Sequence, residues 1–243
     1  RTTLMESISL SPMLTTTSVY SYYNEWDGEL RIEWFKQAHT DYTVRIGGEA
    51  EDMFGNTLGE ETVIHFTTGD YAAFVQLDLE HYTQFSPFTV TNASLLYRNM
   101  DELEVALLRL PLTDFVTRFN GENAWDIWNS YEVPDRAANL VWTRTYTTTD
   151  VRNETYQRIF TLDDGEGNPL APGLYLVEAK LPPPAAPPSD GQVAPTKARA
   201  VVLISNTNIV VKKALSQLSL AWLTTIDDAQ PLVDQEVDFY AAG

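Results

Sequence analysis

The chain has 243 residues, a hydrophobic content of 44% and a formal net charge of −18 at pH 7. This length accommodates one large domain or two to three small ones. The negative charge repels nucleic acid and anionic membrane surfaces, so we expect neither as a partner. The chain has no cysteine, which excludes a disulfide, a thiol nucleophile, a zinc–cysteine site and a thioester. No apolar run is long enough to predict a transmembrane helix.

The first domain, residues 1–69, is predicted to be all-β. Apolar and polar residues alternate in four short segments, 5–10, 30–34, 42–46 and 62–68. Asp27-Gly28 is a hairpin-type turn, and Asp52 to Asn56 is predicted to form a turn before the last strand. Because no long helix separates these segments, they favour a β-sandwich over a parallel sheet.

A second domain, residues 70–205, continues as strands. The segment 103–110 also fits a short helix, but Pro111 ends it and strand-like segments surround it, so we favour a strand. The segments 140–146 and 155–162 are expected to pair across a polar turn. The predicted strands of this domain are 74–79, 87–90, 103–110, 140–146, 155–162, 174–180 and 198–205.

A proline-rich stretch, residues 182–195, interrupts the end of this domain. Its composition predicts an extended loop rather than a domain linker, because the strands on each side need a partner. We therefore expect a long loop between two paired strands. It should be the first segment that a nonspecific protease cuts.

Residues 111–133 depart from the β pattern and predict a small helical insertion. Thr113 is expected to cap a helix that begins at Asp114. A second short helix is expected to place Trp125, Trp128 and Tyr131 side by side at a spacing of three residues. These three side chains are candidates for an interaction patch. The alternative is that they anchor the helix onto a sheet.

Residues 206–243 contain three strand candidates, at 208–212, 218–223 and 236–240. Three short strands are marginal as an independent fold. We therefore expect this segment to begin a further domain and to be incomplete without more chain, or to lean on the domain before it.

Two resemblances arise from these residues. Asp52-x-x-Gly55-Asn56 followed by Phe66-Thr-Thr-Gly69 resembles the end of a bacterial Ig-like domain. The signals Asn168-Pro-Leu-x-Pro-Gly-Leu-Tyr175, Gln230-Pro231 and Glu236–Tyr240 resemble the N-terminal macroglobulin domains of bacterial alpha-2-macroglobulin-like proteins. Together they imply tandem Ig-like and macroglobulin-like β-sandwiches, divided as 1–69, 70–205 and 206–243.

The second resemblance implies a function. Members of this family trap proteases at the cell envelope, so the chain is expected to be non-catalytic scaffold in the periplasm or on the cell surface. Proteases would be its partners through the whole protein, and other domains of the same chain would contact it. Two alternatives stay open: an Ig-like stalk of a surface adhesin, and a carbohydrate-binding module of a secreted hydrolase.

The sequence assigns no catalytic, cofactor-binding or metal-binding residue, and no cofactor is expected. His39, His65 and His81 are far apart and form no metal-binding or catalytic motif. Asp163 to Asn168 resembles a calcium loop in composition, but it lacks the ligand spacing of an EF-hand. A turn rich in Asp and Gly explains it without a metal.

Overall fold

The computed structural model describes residues 6–12, 20–24, 26, 29–52, 54–118, 130–183, 196–213 and 219–239. The chain divides into two compact units, Arg1–Tyr71 and Ala72–Gly243. Strands dominate both units. The helices within the described residues, α1 (Leu112–Arg118) and α2 (Arg136–Asn139), both belong to the second unit. The all-β fold class with a small helical insertion is therefore confirmed, whereas the boundaries at 69 and 205 stay predictions.

The first unit contains two small sheets. One has the strand order β1-β4-β5 and the other pairs β2 with β3. The ring of Tyr42, buried on β4, stacks on Phe66 at 5.5 Å and meets the edge of Trp34 at 5.9 Å. These aromatic contacts form its described core. The strands are β1 (Ile8–Ser11), β2 (Tyr20–Asn24), β3 (Glu29–Glu33), β4 (Asp41–Ile46) and β5 (Thr62–Thr67).

The second unit is a β-sandwich. A five-stranded sheet, in the order β10-β9-β12-β13-β7, packs against a three-stranded sheet in the order β11-β8-β6. Leu95 of β8 and Leu107 of β9 are fully buried between the sheets. The strands are β6 (Phe74–Leu77), β7 (Tyr82–Phe85), β8 (Thr91–Arg98), β9 (Glu102–Arg109), β10 (Leu140–Thr147), β11 (Tyr156–Leu162), β12 (Gly173–Lys180) and β13 (Lys197–Ile204).

Two expectations for this unit are confirmed. The segment 103–110 is a strand rather than a helix, with β9 spanning Glu102–Arg109. Strands β12 and β13 pair antiparallel over their whole length, from Gly173 opposite Ile204 to Lys180 opposite Lys197. The proline-rich stretch therefore connects two paired strands, as its flanks predict.

Three local predictions are wrong. Strand β10 pairs with β9, and β11 pairs with β8, so these two strands lie in opposite sheets instead of forming a hairpin. Residues 87–89 form the turn and bend between β7 and β8 rather than a strand. Helix α1 begins at Leu112, directly after Pro111, so Thr113 lies inside the helix and does not cap it. Proline fits the position before the first turn because it has no N–H to leave unpaired.

Strands β14 (Thr207–Lys213) and β15 (Ser219–Thr225) pair antiparallel with each other, and we call this pair the β14–β15 hairpin. The third predicted strand is absent from residues 236–239, and residue 240 lies outside the described residues. The hairpin has apolar residues on both faces. Val210, Leu220 and Trp222 share one face, with exposures of 45%, 61% and 59%, and Ile209 and Val211 lie half-exposed on the other.

Candidate functional site

Described residues of the helical insertion, Phe115, Tyr131 and Val133, pack on the outer face of the five-stranded sheet. Because side chains alternate along a strand, Leu108 of β9 and Leu176 of β12 point away from the sandwich core. Both are nevertheless fully buried, since they pack in a second cluster beneath the insertion. That cluster consists of Ala106, Leu108, Leu110, Tyr131, Val133, Leu176 and Val201, with Phe115 and Leu174 packed against it.

Tyr131 is part of this buried cluster. Its side chain is 4% exposed, and its hydroxyl donates a hydrogen bond of 2.8 Å to Asp114 Oδ2 on α1. Burial and the neighbouring Asp114 carboxylate raise the pKa of Tyr131 well above its ordinary value. Trp125 and Trp128 lie outside the described residues. The interaction patch formed by these three residues therefore stays a prediction. The described contacts of Tyr131 tie the insertion to the sheet.

The outer face of the sheet also carries a charge cluster. Glu178 of β12 is 3% exposed, although its side chain is ionisable. Arg199 Nε donates to Glu178 Oε1 at 3.0 Å, and Arg136 Nη1 lies 2.7 Å from Glu178 Oε2. Lys197 Nζ lies 3.5 Å from the same oxygen. Three cations thus surround one buried carboxylate, which is the arrangement that offsets the cost of removing it from water.

Glu132 closes the cluster on its solvent side. It accepts hydrogen bonds from Lys197 Nζ at 2.8 and 3.0 Å, and it lies 3.5 Å from Arg199 Nη2. The hydrogen bond from Lys197 lowers the pKa of Glu132, burial opposes this, and the charges of Lys197, Arg199 and Arg136 lower it further. The cluster therefore ties Glu132, at the end of the insertion, and Arg136 of α2 to β12 and β13.

A cavity of about 400 Å³ lies beside the cluster. Its polar lining includes Glu104, Glu178, Lys180 and Lys197, and Pro182 and Pro183 form part of its wall. Arg136 and Thr196 complete its polar lining.

The Asp163–Asn168 loop satisfies its own carboxylates. Asp164 Oδ1 accepts hydrogen bonds from the backbone N–H groups of Glu166 and Asn168, and Asp164 Oδ2 accepts one from the Asn168 amide. Asp163 accepts from Arg144 and from the Gly165 N–H through Oδ1, and from Thr161 through Oδ2. The oxygens that a calcium ion would need are thus engaged in closing the turn.

The first unit contains a turn with the same sequence pattern, Asp-x-x-Gly-Asn, at residues 52–56. Asp52 Oδ1 accepts from the N–H groups of Phe54 and Asn56, and Oδ2 accepts from the Asn56 amide. The glycine before each asparagine has a positive φ, 85° at Gly55 and 91° at Gly167. Asp-x-x-Gly-Asn is therefore a recurrent structural turn in this chain, because only glycine adopts that conformation without strain.

The side chains of His39 and His65 contact an aspartate and a threonine, respectively. His39 Nε2 pairs with Asp70 Oδ1 at 2.8 Å, and His65 Nδ1 contacts Thr43 Oγ1 at 3.0 Å, both in the first unit. His81 lies in the second unit, before β7. Across the described parts of the chain, no group of three or more His, Cys, Asp or Glu residues could hold a metal ion. None of the described helices has the length and apolar character needed to cross a membrane.

Solved structures of bacterial alpha-2-macroglobulins are similar to this chain in fold. The chain matches Salmonella alpha-2-macroglobulin mutant Y1175G with a TM-score of 0.52 and 12% identity, over 93% of this chain and 14% of that one. It matches Salmonella alpha-2-macroglobulin reacted with methylamine with a TM-score of 0.50 and 12% identity, over 85% and 12%. A fragment of Escherichia coli alpha-2-macroglobulin spanning domains MG0-NIE-MG1 has a TM-score of 0.47 and 13% identity, over 93% and 69%.

No family model and no curated protein sequence matches the chain. The likeness is therefore one of fold. The chain spans about a seventh of the length of the Salmonella protein, 14%.

Proposed function

We propose that this chain is a non-catalytic scaffold segment of a bacterial alpha-2-macroglobulin-like protease trap. The observation that carries the proposal is the match to a Salmonella alpha-2-macroglobulin over 93% of the chain, with a TM-score of 0.52. Fold alone does not define function, so the proposal also needs support from the residues themselves.

The residues support a structural role. The most buried charged groups of the second unit pair with one another, as in the cluster around Glu178 and the pair of Arg144 with Asp163. The Asp-x-x-Gly-Asn turns use their carboxylates to hold the backbone. The ion pairs stabilise the sandwich. The Asp52 and Asp164 carboxylates of the turns are engaged in hydrogen bonds to the backbone.

The domain organisation is part of the proposal. We assign residues 1–69 to an Ig-like domain, 70–205 to a macroglobulin-like domain and 206–243 to the start of another. The division into compact units after Tyr71 supports the first boundary. Exposed apolar residues on both faces of the β14–β15 hairpin support the last one, because an independent two-stranded ribbon would be expected to have at least one polar face.

The proposed setting is the cell envelope, periplasmic or surface-exposed. In this proposal the complete protein binds proteases, and this segment contacts neighbouring domains of its own chain. A net charge of −18 supports the proposed absence of nucleic acid and of anionic lipid among the partners.

Native electrophoresis of the complete protein tests this role. If the segment belongs to a trap, adding chymotrypsin should convert the complete protein to a species of different mobility that retains residues 72–205 uncut. The separate 243-residue chain should leave chymotrypsin activity unchanged, because a scaffold segment does not inhibit alone. A parent protein whose mobility is unaffected, and which consists of tandem Ig-like repeats, would favour the adhesin stalk instead.

A further inference from the structure

One face of the paired strands β2 and β3, in the first unit, combines aromatic and charged side chains. Residues that lie directly opposite each other in an antiparallel pair project from the same face. The register therefore brings six side chains together on what we call the Tyr20 face: Tyr20 opposite Glu33, Tyr22 opposite Arg31, and Asn24 opposite Glu29. The two tyrosines follow each other at about 7 Å along the strand, the separation of alternate residues.

The aromatic side chains at this face are exposed. Tyr20 is 62% exposed and Tyr22 is 51% exposed, and Trp26, which follows β2, is 96% exposed. The Trp26 N–H donates a 3.1 Å hydrogen bond to Asn24 Oδ1, so a side chain of the Tyr20 face holds the backbone of Trp26 at its end. Tyrosine and tryptophan offer a large contact area and lose little entropy on binding, because they have only two χ angles to fix.

The charges of the Tyr20 face leave one carboxylate uncompensated. Arg31 Nη2 lies 3.9 Å from Glu29 Oε1, so these two charges offset each other. Glu33 forms no ion pair with any of the described residues, and it lies opposite the exposed ring of Tyr20. Residues 1–71 contain 12 acidic and four basic side chains. The electrostatic potential around this face is therefore negative.

A cation is the ligand group that matches this combination. An aromatic ring attracts a guanidinium or ammonium group placed over its face, and a free carboxylate beside the ring adds to the attraction. The first unit already contains a contact of this kind, since Lys36 Nζ lies 4.3 Å from the ring centroid of Trp34. An anionic ligand would be repelled, and a purely apolar one would cover Glu33 without compensating its charge.

We propose that the Tyr20 face binds a segment of a partner protein that carries arginine or lysine at alternate positions. In an extended segment, alternate side chains share one face at the same spacing of about 7 Å, so two cations reach Tyr20 and Tyr22 together. Glu33 pairs with the cation over Tyr20. Charge complementarity selects this occupant. The inference goes beyond the scaffold role and does not depend on it.

The test is a titration of the ¹⁵N-labelled 243-residue chain with the blocked peptide acetyl-Ser-Arg-Ser-Arg-Ser-amide, followed by NMR. The matched probe replaces both arginines with citrulline, which has nearly the same shape but no charge. We expect the arginine peptide to shift the backbone amides of Tyr20, Tyr22 and Arg31, and to bind about tenfold more tightly than the citrulline peptide. This preference should decrease as the salt concentration is raised.

Substitutions identify the groups responsible. Tyr22→Ala should weaken binding of the arginine peptide about threefold, whereas Phe54→Ala, which removes an exposed ring outside β2 and β3, should leave it unchanged. Glu33→Gln should also weaken it about threefold. Glu60→Gln is the matched control, because it removes the same charge from an exposed residue outside β2 and β3. Arg31→Gln should strengthen binding, since it removes a like charge from the face.

Three results with the 243-residue chain would overturn the proposal. They are the absence of saturable shifts with the arginine peptide, equal binding of the two peptides, and an equal loss in Glu33→Gln and Glu60→Gln. The last result would show that only the overall negative charge attracts the peptide.

Two further titrations distinguish other occupants of the Tyr20 face. If the complete protein that contains this segment does not bind the arginine peptide, another part of its own chain covers the face, and the partner proposal is refuted. Phosphatidylcholine vesicles and cellohexaose should leave the amides of Tyr20 and Tyr22 unshifted. Shifts of these amides with either probe, and none with the arginine peptide, would assign the face to a lipid surface or a glycan instead.

Discussion

Arg144 of β10 and Asp163, at the end of β11, connect the two sheets of the second unit through an ion pair of 2.7 Å. Arg144 also donates to the Thr161 carbonyl at 2.9 Å, and its guanidinium carbon lies 4.3 Å from the centroid of Trp142. The Trp142 indole donates to the Asp163 carbonyl at 2.9 Å. The side chains of β10 thus occupy backbone acceptors of β11, although the strands belong to different sheets.

Replacing Arg144 with methionine should destabilise the second unit. The substitution leaves the Asp163 carboxylate, 4% exposed, without its cation, and it removes the hydrogen bond from Arg144 to the Thr161 carbonyl. We expect a loss of about 2 to 4 kcal/mol in the free energy of unfolding, measured by urea denaturation. Arg152→Met is the control, because its pair with Asp101 is exposed on both sides and should contribute less than about 0.5 kcal/mol. Equal losses of unfolding free energy in the two variants would contradict a stabilising role for the Arg144–Asp163 pair.

The stability of the second unit should fall in acid partly through Asp163. Burial raises the pKa of Asp163, but hydrogen bonds from Thr161, Arg144 and the Gly165 N–H more than offset this, so the pKa is lowered. A lowered pKa in the folded state contributes stability above the unfolded value of about 3.9, and this contribution is lost as pH falls through the folded pKa. Asp163→Asn should therefore flatten the dependence of unfolding free energy on pH below about 4. An unchanged acid slope would show that Asp163 does not contribute to it.

The contribution of the charge cluster to the free energy of unfolding should depend on the balance between its carboxylates and its cations rather than on any single residue. Glu178→Leu leaves Arg136, Lys197 and Arg199 close together without their buried anion, and it should cost about 3 to 5 kcal/mol. The double variant Glu178→Leu with Arg199→Met should recover part of this loss, because it replaces the most buried pair by apolar side chains. Urea denaturation of the single and double variants measures the coupling. Additive losses would show that the pair is not coupled.

Calcium should not stabilise the chain through the Asp163–Asn168 loop. Its carboxylates already accept hydrogen bonds from Arg144, Thr161 and the turn backbone. A ligand that binds only the folded state raises the melting temperature, so millimolar calcium should move it by less than about 1 °C. Magnesium at the same ionic strength is the control. A calcium-specific rise that disappears in Asp164→Asn would establish a metal site.

The β14–β15 hairpin should contribute little to the stability of the second unit. Trp222 is 59% exposed, whereas Trp142 of the sandwich core is 7% exposed. Trp222→Ala should change the free energy of unfolding by less than about 0.5 kcal/mol, and Trp142→Ala should reduce it by about 3 to 5 kcal/mol. A large loss from Trp222→Ala would show that the hairpin is already packed within this chain.

Local patterns predicted the strands that alternate clearly, and long-range packing accounts for the rest. Pro111 after an apolar run identified β9, and the flanks of the proline-rich stretch identified the β12–β13 pair. Alternation shows which face of β10 is buried but not which strand pairs with it, so the partner of β10 could not be read locally. The short polar strand Tyr20–Asn24 has no apolar alternation and was not predicted.

The burial of Glu178 could not be predicted from the sequence for a similar reason. The alternation of side chains along β12 places this carboxylate on the outer face of the sheet, and the sequence pattern predicts that side chains on this face are exposed to solvent. Arg136, on α2, and Arg199, on the next strand, cover it.

The most direct measurement of the central proposal uses two substrates of one protease. Chymotrypsin is mixed with the complete protein that contains this segment, and its activity is followed on a small chromogenic peptide and on casein. A trap predicts that hydrolysis of the small peptide persists, whereas hydrolysis of casein falls at least about tenfold, because an enclosed protease excludes large substrates. If the complete protein changes chymotrypsin activity on neither substrate, the assignment of this chain to a protease trap is contradicted.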